Sequence, residues 1–481
     1  MMNSKTQPMS AASSAIPYRW WALIALALAQ FLVVLDASIV NIALPSLGAE
    51  LHLDTTTLSW VITAYVLPFG GLLLLGGRLS DRYGHRRLFI AGVAGFANSG
   101  AWLLTSRAVQ GASAALLAPA ALALLTKLFM DPQDRAKALG IWGAVAGIGS
   151  AAGVLLGGVL TSSFGWPSVF FVNVPIGLLV IVATPLLIAK DKPGERASLD
   201  MPGAAAVTAG IVTLVFALSE TERVGWTSPL TLTLAGVSVL LLAAFVFIER
   251  SAKNPLMPLG VFRNKSVLGD NLEMFLIGGA TTGLFFALSV YMQQVLHYDA
   301  MKAGLTQLPL AGALVVIAGA VPALVKKLGT RRTLAASLLL LAAGLIWLSL
   351  APSDASFAVH LLGPSIVIGI GLGGAFVAGT ELSVHGVADS EAGMASGLVN
   401  TSQQIGGAIG LAVLATISST RTRDLLSNGI AEPQALTSGF AWVFLGAAAF
   451  SIIGAVIVLK VVRPSLSRQN IDESITKRVR G

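Results

Sequence analysis

An aspartate stands inside the first long apolar stretch of the chain. Asp36 lies about 16 residues into the run Trp20–Val40, with Leu and Val on both sides, or roughly 24 Å along a helix axis. An acid within a membrane span costs up to about 2.5–3.5 kcal/mol on insertion scales, so one kept there faces a cavity or a partner. Desolvation at that depth suits it to taking up and releasing a proton. A structural acid hydrogen-bonded to a neighbouring helix is the alternative reading. On a helical wheel Gln30, Ser38 and Asn41 fall within about 80° of one another, and Asp36 points roughly 120° away from them. Arg107 is the one basic residue inside an apolar run. Coupling it to Asp36 would let protonation of the acid free the guanidinium, or the reverse; a snorkelling or backbone-bound arginine is the plainer account. Glu273 and Glu381 stand at the inner ends of two later runs. They are either solvated end charges or attractors of cationic substrates.

A second group of chemistry-bearing residues follows the second apolar run: Gly77, Asp81, Arg82, Gly84, Arg86 and Arg87, in the segment Gly77–Arg87. A carboxylate among four arginines can pair with them or with a helix N-terminus. Such a charge lock can hold one conformation and release it. The plain alternative is a basic inside loop with a glycine turn. No phosphate loop, metal cluster, nucleophile triad or pair of catalytic acids is visible, so neither enzyme chemistry nor a cofactor or metal is expected. The absence of Cys excludes disulfides and thiolate sites. His52 has no metal partner at useful spacing, and His85, His297 and His385 in loops and His360 near an outer end are assigned no role.

The elements that must position these residues follow from composition. Of 481 residues, 55% are hydrophobic and 11% charged, against about 25% charged in soluble proteins. A water-facing surface cannot be built from that supply, and the bilayer is the natural solvent. Fourteen apolar segments are read: Trp20–Val40, Leu58–Gly77, Leu88–Gly100, Trp102–Thr126, Leu139–Leu160, Val169–Ala189, Met201–Ser219, Leu230–Ile248, Leu272–Tyr291, Leu305–Val325, Leu334–Leu350, Phe357–Leu382, Leu398–Ile417 and Phe440–Leu459. They lack the alternation of a membrane β-barrel, so the fold class is an all-α polytopic membrane protein. The third segment is the short one.

With the N-terminus placed inside, 26 of the 31 Lys and Arg fall on the inner side, as the positive-inside rule requires. Both termini are then cytoplasmic, and the basic balance of +8 reflects topology rather than nucleic acid. An internal echo, Arg82-Tyr83-Gly84-His85-Arg86-Arg87 against Lys327-Leu328-Gly329-Thr330-Arg331-Arg332, predicts two related halves. Internal repeats of this kind mark secondary transporters. The expected division is an N-terminal six-helix bundle over 1–189, two inserted helices with their loops over 190–265, a C-terminal six-helix bundle over 266–459, and a tail over 460–481.

The motif Gly77-x-Leu79-Ser80-Asp81-Arg82-x-Gly84-x-Arg86-Arg87 resembles a signature of the major facilitator superfamily. Leu35-Asp36-Ala37-Ser38-Ile39-Val40-Asn41-Ile42-Ala43-Leu44-Pro45 is similar to the first-helix signature of its fourteen-helix drug:proton antiporters. Arg107-Ala108-Val109-Gln110-Gly111 and Gly149-Ser150-Ala151-Ala152-Gly153-Val154-Leu155-Leu156-Gly157-Gly158 resemble the fourth- and fifth-helix motifs. Phe171–Gly177 and Asn400–Gln404 resemble further family stretches. Val154 replaces the usual proline of the fifth-helix motif, Lys326 stands where the first half has Asp81, and the third segment is shorter than the family's.

This resemblance implies that the helices of Asp36 and Arg107, and those of Glu273 and Glu381, line a central cavity. It also implies that the glycines Gly149, Gly153, Gly157 and Gly158 govern alternating access, where close helix packing alone would equally explain them. The expected function is proton-coupled multidrug or antibiotic efflux by a monomer in a bacterial inner membrane. Its partners would be protons, the lipid bilayer and small lipophilic organic substrates, cations among them, with no nucleic acid. The alternatives are an exporter dedicated to one metabolite or antibiotic, and a non-transporting membrane receptor or scaffold.

Overall fold

The computed structural model describes residues 16–53, 55–96, 103–188, 200–252, 255–256, 259–384 and 392–461. Fifteen α-helices and no strand occur among them. The first group is α1 (Ile16–Leu51), α2 (Thr55–Tyr83), α3 (His85–Phe96), α4 (Leu103–Leu128), α5 (Pro132–Phe164), α6 (Ser168–Phe171) and α7 (Asn173–Leu187). A hairpin of α8 (Met201–Val224) and α9 (Pro229–Ser251) follows. The last group is α10 (Lys265–Val290), α11 (Ala300–Leu328), α12 (Thr330–Leu348), α13 (Leu362–Val384), α14 (Ala392–Ser427) and α15 (Glu432–Val461). Lipid offers no hydrogen bonds, so helices that satisfy their own backbone are the expected solution.

Ten described helices are long and apolar enough to cross a bilayer, and shorter apolar helical stretches cover Thr57–Leu73 and Ala152–Phe164. The helices overrun the apolar segments: α1 has 36 residues and α14 also has 36. Polar residues past an apolar run do not break a helix by themselves, and capping and glycine decide where it starts and stops. Thus Asp299 caps α11 by accepting from the Lys302 amide at 2.7 Å, and Asn264 caps α10 through the Ser266 amide at 3.0 Å. The short third segment, Leu88–Gly100, is helical through Phe96, and its remaining residues lie outside the described residues.

The two echoed sequences fold alike. Gly84 and Gly329 have φ of 95° and 82°, a region open to glycine at little cost. Each amide bonds back four residues, to Ser80 and Val325, and each carbonyl receives the amide four residues on, from Leu88 and Thr333. The same short turn therefore joins α2 to α3 and α11 to α12. The segment expected as a loop from Gly77 to Arg87 is in fact helix up to Tyr83 and again from His85; only Gly84 leaves the helical path.

Within the first group, α1 packs on α5 and α7, α2 on α4, and α3 on α4. Within the last, α10 packs on α14 and α15, and α13 on α11 and α12. The groups meet where α2 lies on α14 and α5 on α11. The α8–α9 hairpin sits across that boundary, α8 touching both α2 and α14. On α9 Leu240 is 71% and Phe247 73% exposed, as suits a lipid-facing helix.

Candidate functional site: a buried ion pair on four helices

Asp36 of α1 is fully buried. Its Oδ2 accepts from Arg107 Nη1 at 2.6 Å, and neither side chain is exposed beyond 1%. Its Oδ1 accepts from Asn173 Nδ2 on α7 at 2.7 Å and from Gln110 Nε2 on α4 at 3.3 Å. Arg107 donates further, through Nη1 to Gln110 Oε1 at 3.0 Å and through Nε to the Val61 carbonyl on α2 at 3.1 Å. The guanidinium carbon lies 4.4 Å from the centre of the Tyr65 ring. Four helices thus converge on one ion pair.

The pair is neutral as a whole, which is why it can be buried. Two isolated charges would each cost several kcal/mol to desolvate, and removing one partner of a buried pair typically costs about 3–5 kcal/mol. Three donors face the acid, and a carbonyl, an amide oxygen and an aromatic face surround the base, a set of partners suited to a charge-assisted pair. A proton arriving at Asp36 would cancel the attraction to Arg107, so protonation and the contact between α1 and α4 are physically linked.

Glycine lets the helices approach this closely. Gly111, one turn beyond Arg107, lies against the backbone of Tyr65, one turn beyond Val61. A side chain at Gly111 would push α4 away from α2 and pull Arg107 off the Val61 carbonyl. Behind Asp36, Gly149, Gly153 and Gly157 of α5 face Phe31, Ser38 and Ile39 of α1. Gly158 turns instead toward the other group: a Cβ there would lie 2.7 Å from the Ala300 carbonyl at the start of α11. Gly304 of α11 returns the contact to Val154. The helical-wheel separation is also realised, since Ser38 faces α5 whereas Asp36 faces α4. Near this point the Asn41 carbonyl accepts from Ser289 Oγ of α10 at 2.5 Å.

The remaining expected residues lie apart from this cluster. Glu273 on α10 is fully buried and Glu381 on α13 half-buried; neither hydrogen-bonds to Asp36 or Arg107. Full burial removes the reading of Glu273 as a solvated end charge, because α10 begins at Lys265, well before the apolar run, and carries Glu273 into the packed interior. In the Gly77–Arg87 segment, Gly77 faces Pro119 of α4, and the Arg82 guanidinium stacks 5.5 Å from the Tyr83 ring centre. Ser80 Oγ and His85 Nδ1 are 2.6 Å apart, bridging the Gly84 turn. Arg86 is half-buried and Arg87 exposed; the Asp81 side chain lies outside the described residues. Gln110 and Asn173, which the sequence offers only as members of motif stretches, emerge as direct partners of Asp36. Val61, Tyr65 and a second buried acid on α10, Asp270, do not stand out in the sequence. The spacing Asp270-Asn271-Leu272-Glu273, two acids one helical turn apart, is the available signal for the last.

Comparison with known proteins identifies the family. The chain is 41% identical over 482 residues to the cephamycin export protein CmcT of Amycolatopsis lactamdurans, covering 97% of this chain and 96% of that one. It is 40% identical over 448 residues to the puromycin resistance protein pur8 of Streptomyces alboniger, covering 91% and 89%. Among solved structures, a bacterial homolog of the human lysosomal transporter Spinster, inward-facing and unoccupied, shares the fold with a TM-score of 0.65 at 17% identity, over 94% of this chain and 100% of that one. The family model described as Major Facilitator Superfamily matches residues 26–411, a stretch that contains the Asp36–Arg107 cluster and both glycine turns, and the chain belongs to that superfamily.

Proposed function

We propose that the chain is a proton-coupled exporter of small organic molecules of the antibiotic class, working by alternating access in a bacterial cytoplasmic membrane. The observation that carries this reading is the buried Asp36–Arg107 pair, whose neutrality a single proton would break. The chain divides into two six-helix bundles, 1–189 and 266–459, with two inserted helices and their flanking loops over 190–265, a tail over 460–481, and both termini inside. In that orientation the α5–α11 contact at Gly158 and Gly304 closes the outer end, and the Gly77–Arg87 segment lies at the inner surface as a gate. Protonation of Asp36 from outside releases Arg107, loosens α1 from α4, and favours the opposite state; deprotonation inside resets the pair. One proton moving down about 100 mV supplies about 2.3 kcal/mol, enough for roughly a 50-fold gradient. No cofactor is required, and a monomer suffices.

The test is efflux of a fluorescent lipophilic cation such as ethidium, and of puromycin and a cephamycin, from proteoliposomes under an imposed pH gradient. Gradient-dependent flux is expected, and Asp36→Asn should abolish it while leaving exchange of substrate for substrate intact. Absence of gradient-dependent flux for every probe would favour a receptor or scaffold instead. A second reading, export of a single antibiotic, is favoured by the single-antibiotic names of the two relatives above; flux confined to one probe would select it.

A further inference from the structure

Asp270 and Glu273 lie one turn apart on α10, and both side chains are fully buried. All four of their carboxylate oxygens are without a hydrogen-bond partner among the described residues, unlike Asp36, which has three donors. Around Glu273 stand small residues: a Cβ on Gly379 of α13 would be 3.5 Å from its Oε2, and one on Gly454 of α15 would be 3.7 Å from its Cγ. The charged groups on the elements packed nearby are otherwise placed. Arg331 at the start of α12 donates to the Val458 and Leu459 carbonyls of α15. Lys265 and Lys460 are exposed, Glu381 is half-buried, and the Arg263 side chain lies outside the described residues. Asp36 on α1 is committed to Arg107.

Two adjacent carboxylates that meet no counter-charge among the described residues cannot both be ionised in a low-dielectric interior. A metal cation is a poor occupant, since hard cations take six or more oxygen ligands, and no group of three or more metal-ligating side chains occurs among the described residues. A proton needs only the carboxyl oxygens themselves. We infer that Asp270 and Glu273 form a second proton-exchanging site, in the C-terminal half, which loads and releases a proton in each cycle in addition to the one handled at Asp36. The inference rests on the proton-coupled reading above and adds one proton to its stoichiometry.

Infrared spectroscopy of the full chain in lipid tests the site without reference to transport. The wild type should show a protonated-carboxyl C=O band that fades as the pH is raised. Glu273→Gln should diminish it, and the double change Asp270→Asn with Glu273→Gln should remove it. In proteoliposomes the double variant should couple one proton fewer, lowering ethidium accumulation about 50-fold at 100 mV. A wild type with no such band overturns the proposal, as does a band that is indifferent to pH or to both substitutions. Loss of the band on adding sodium at constant pH also overturns it, in favour of a cation site. Should the double variant fail to fold, the wild-type titration and Glu273→Gln alone decide. If no probe moves in the wild type, the export reading falls, while the infrared titration still decides independently whether the pair exchanges a proton.

Discussion

At the scale of single residues, the cluster is defined by what each group would keep if the Asp36–Arg107 contact were lost. Arg107 keeps the Val61 carbonyl, Gln110 and Tyr65 after losing the carboxylate, so it has a waiting position. Asn173 has no such reserve: its Nδ2 is committed to Asp36 and its Oδ1 is unpartnered. Asn173→Ala should therefore destabilise the protein by about 1.5–3 kcal/mol, the range for a hydrogen bond to a charged group. A lower thermal-unfolding midpoint that largely disappears in an Asp36→Asn background would be the readout; an equal loss in both backgrounds would mean that Asn173 merely packs. Arg107→Lys should impair pH-gradient-driven export strongly, because a lysine cannot bond the carboxylate, the amide and the carbonyl while lying flat on Tyr65. Wild-type export by that variant would remove Arg107 from the coupling. The acid and the base were visible in the sequence because charges inside the spans are so scarce. Their amide partners were not, because Gln and Asn in an apolar run announce no direction.

At the scale of elements, α5 connects the cluster to the rest of the molecule. One face, Gly149, Gly153 and Gly157, seats α1, and the neighbouring Gly158 seats α11 of the other group. Val154 stands where the family motif has proline, and α5 runs unbroken from Pro132 to Phe164. Rigid contact between α1 and α11 through one continuous helix is thus available to carry the state of Asp36 to the bundle boundary. Gly158→Val should wedge α5 from α11, since the atom met by the new Cβ is a backbone oxygen at 2.7 Å and cannot swing away. Introducing Ala300→Cys gives a thiol that is unique, because the chain has no cysteine. Its labelling by a membrane-impermeant maleimide should be slow in the Gly158 background and several-fold faster with Gly158→Val; unchanged labelling would sink the wedge argument. The sequence displayed these glycines, yet periodicity alone could not assign one face to α1 and the next residue to α11.

For the molecule as a whole, the α8–α9 hairpin is placed where the two groups meet. Thr208 of α8 donates to the Gly71 carbonyl of α2 at 3.1 Å, and Thr416 of α14 donates to the Leu218 carbonyl of α8 at 3.3 Å. Interhelical hydrogen bonds in membranes average about 0.6 kcal/mol, so Thr208→Val should change stability little while altering how readily α2 and α14 separate. Transport rate, rather than the unfolding midpoint, is where that effect belongs. Topology is testable at the same scale: a fluorescent protein fused after Gly481 should fluoresce only if the C-terminus is cytoplasmic, and a periplasmic phosphatase fused there should be inactive. With the N-terminus inside, the reverse result would require an odd number of crossings.

The sequence by itself determined the solvent, the helical class, the pairing of Gly84 with Gly329 and the presence of Asp36 and Arg107 as charges within apolar runs. These depend on composition, local backbone limits and the rarity of charge, all of which are one-dimensional properties. Only the tertiary structure decided that Asn173, Gln110, Val61 and Tyr65 close around the ion pair, and that Asp270 and Glu273 are buried without hydrogen-bond partners among the described residues. Those outcomes depend on how far helices distant in sequence approach one another, and that is set by glycine contacts and helix rotation that no single helix encodes.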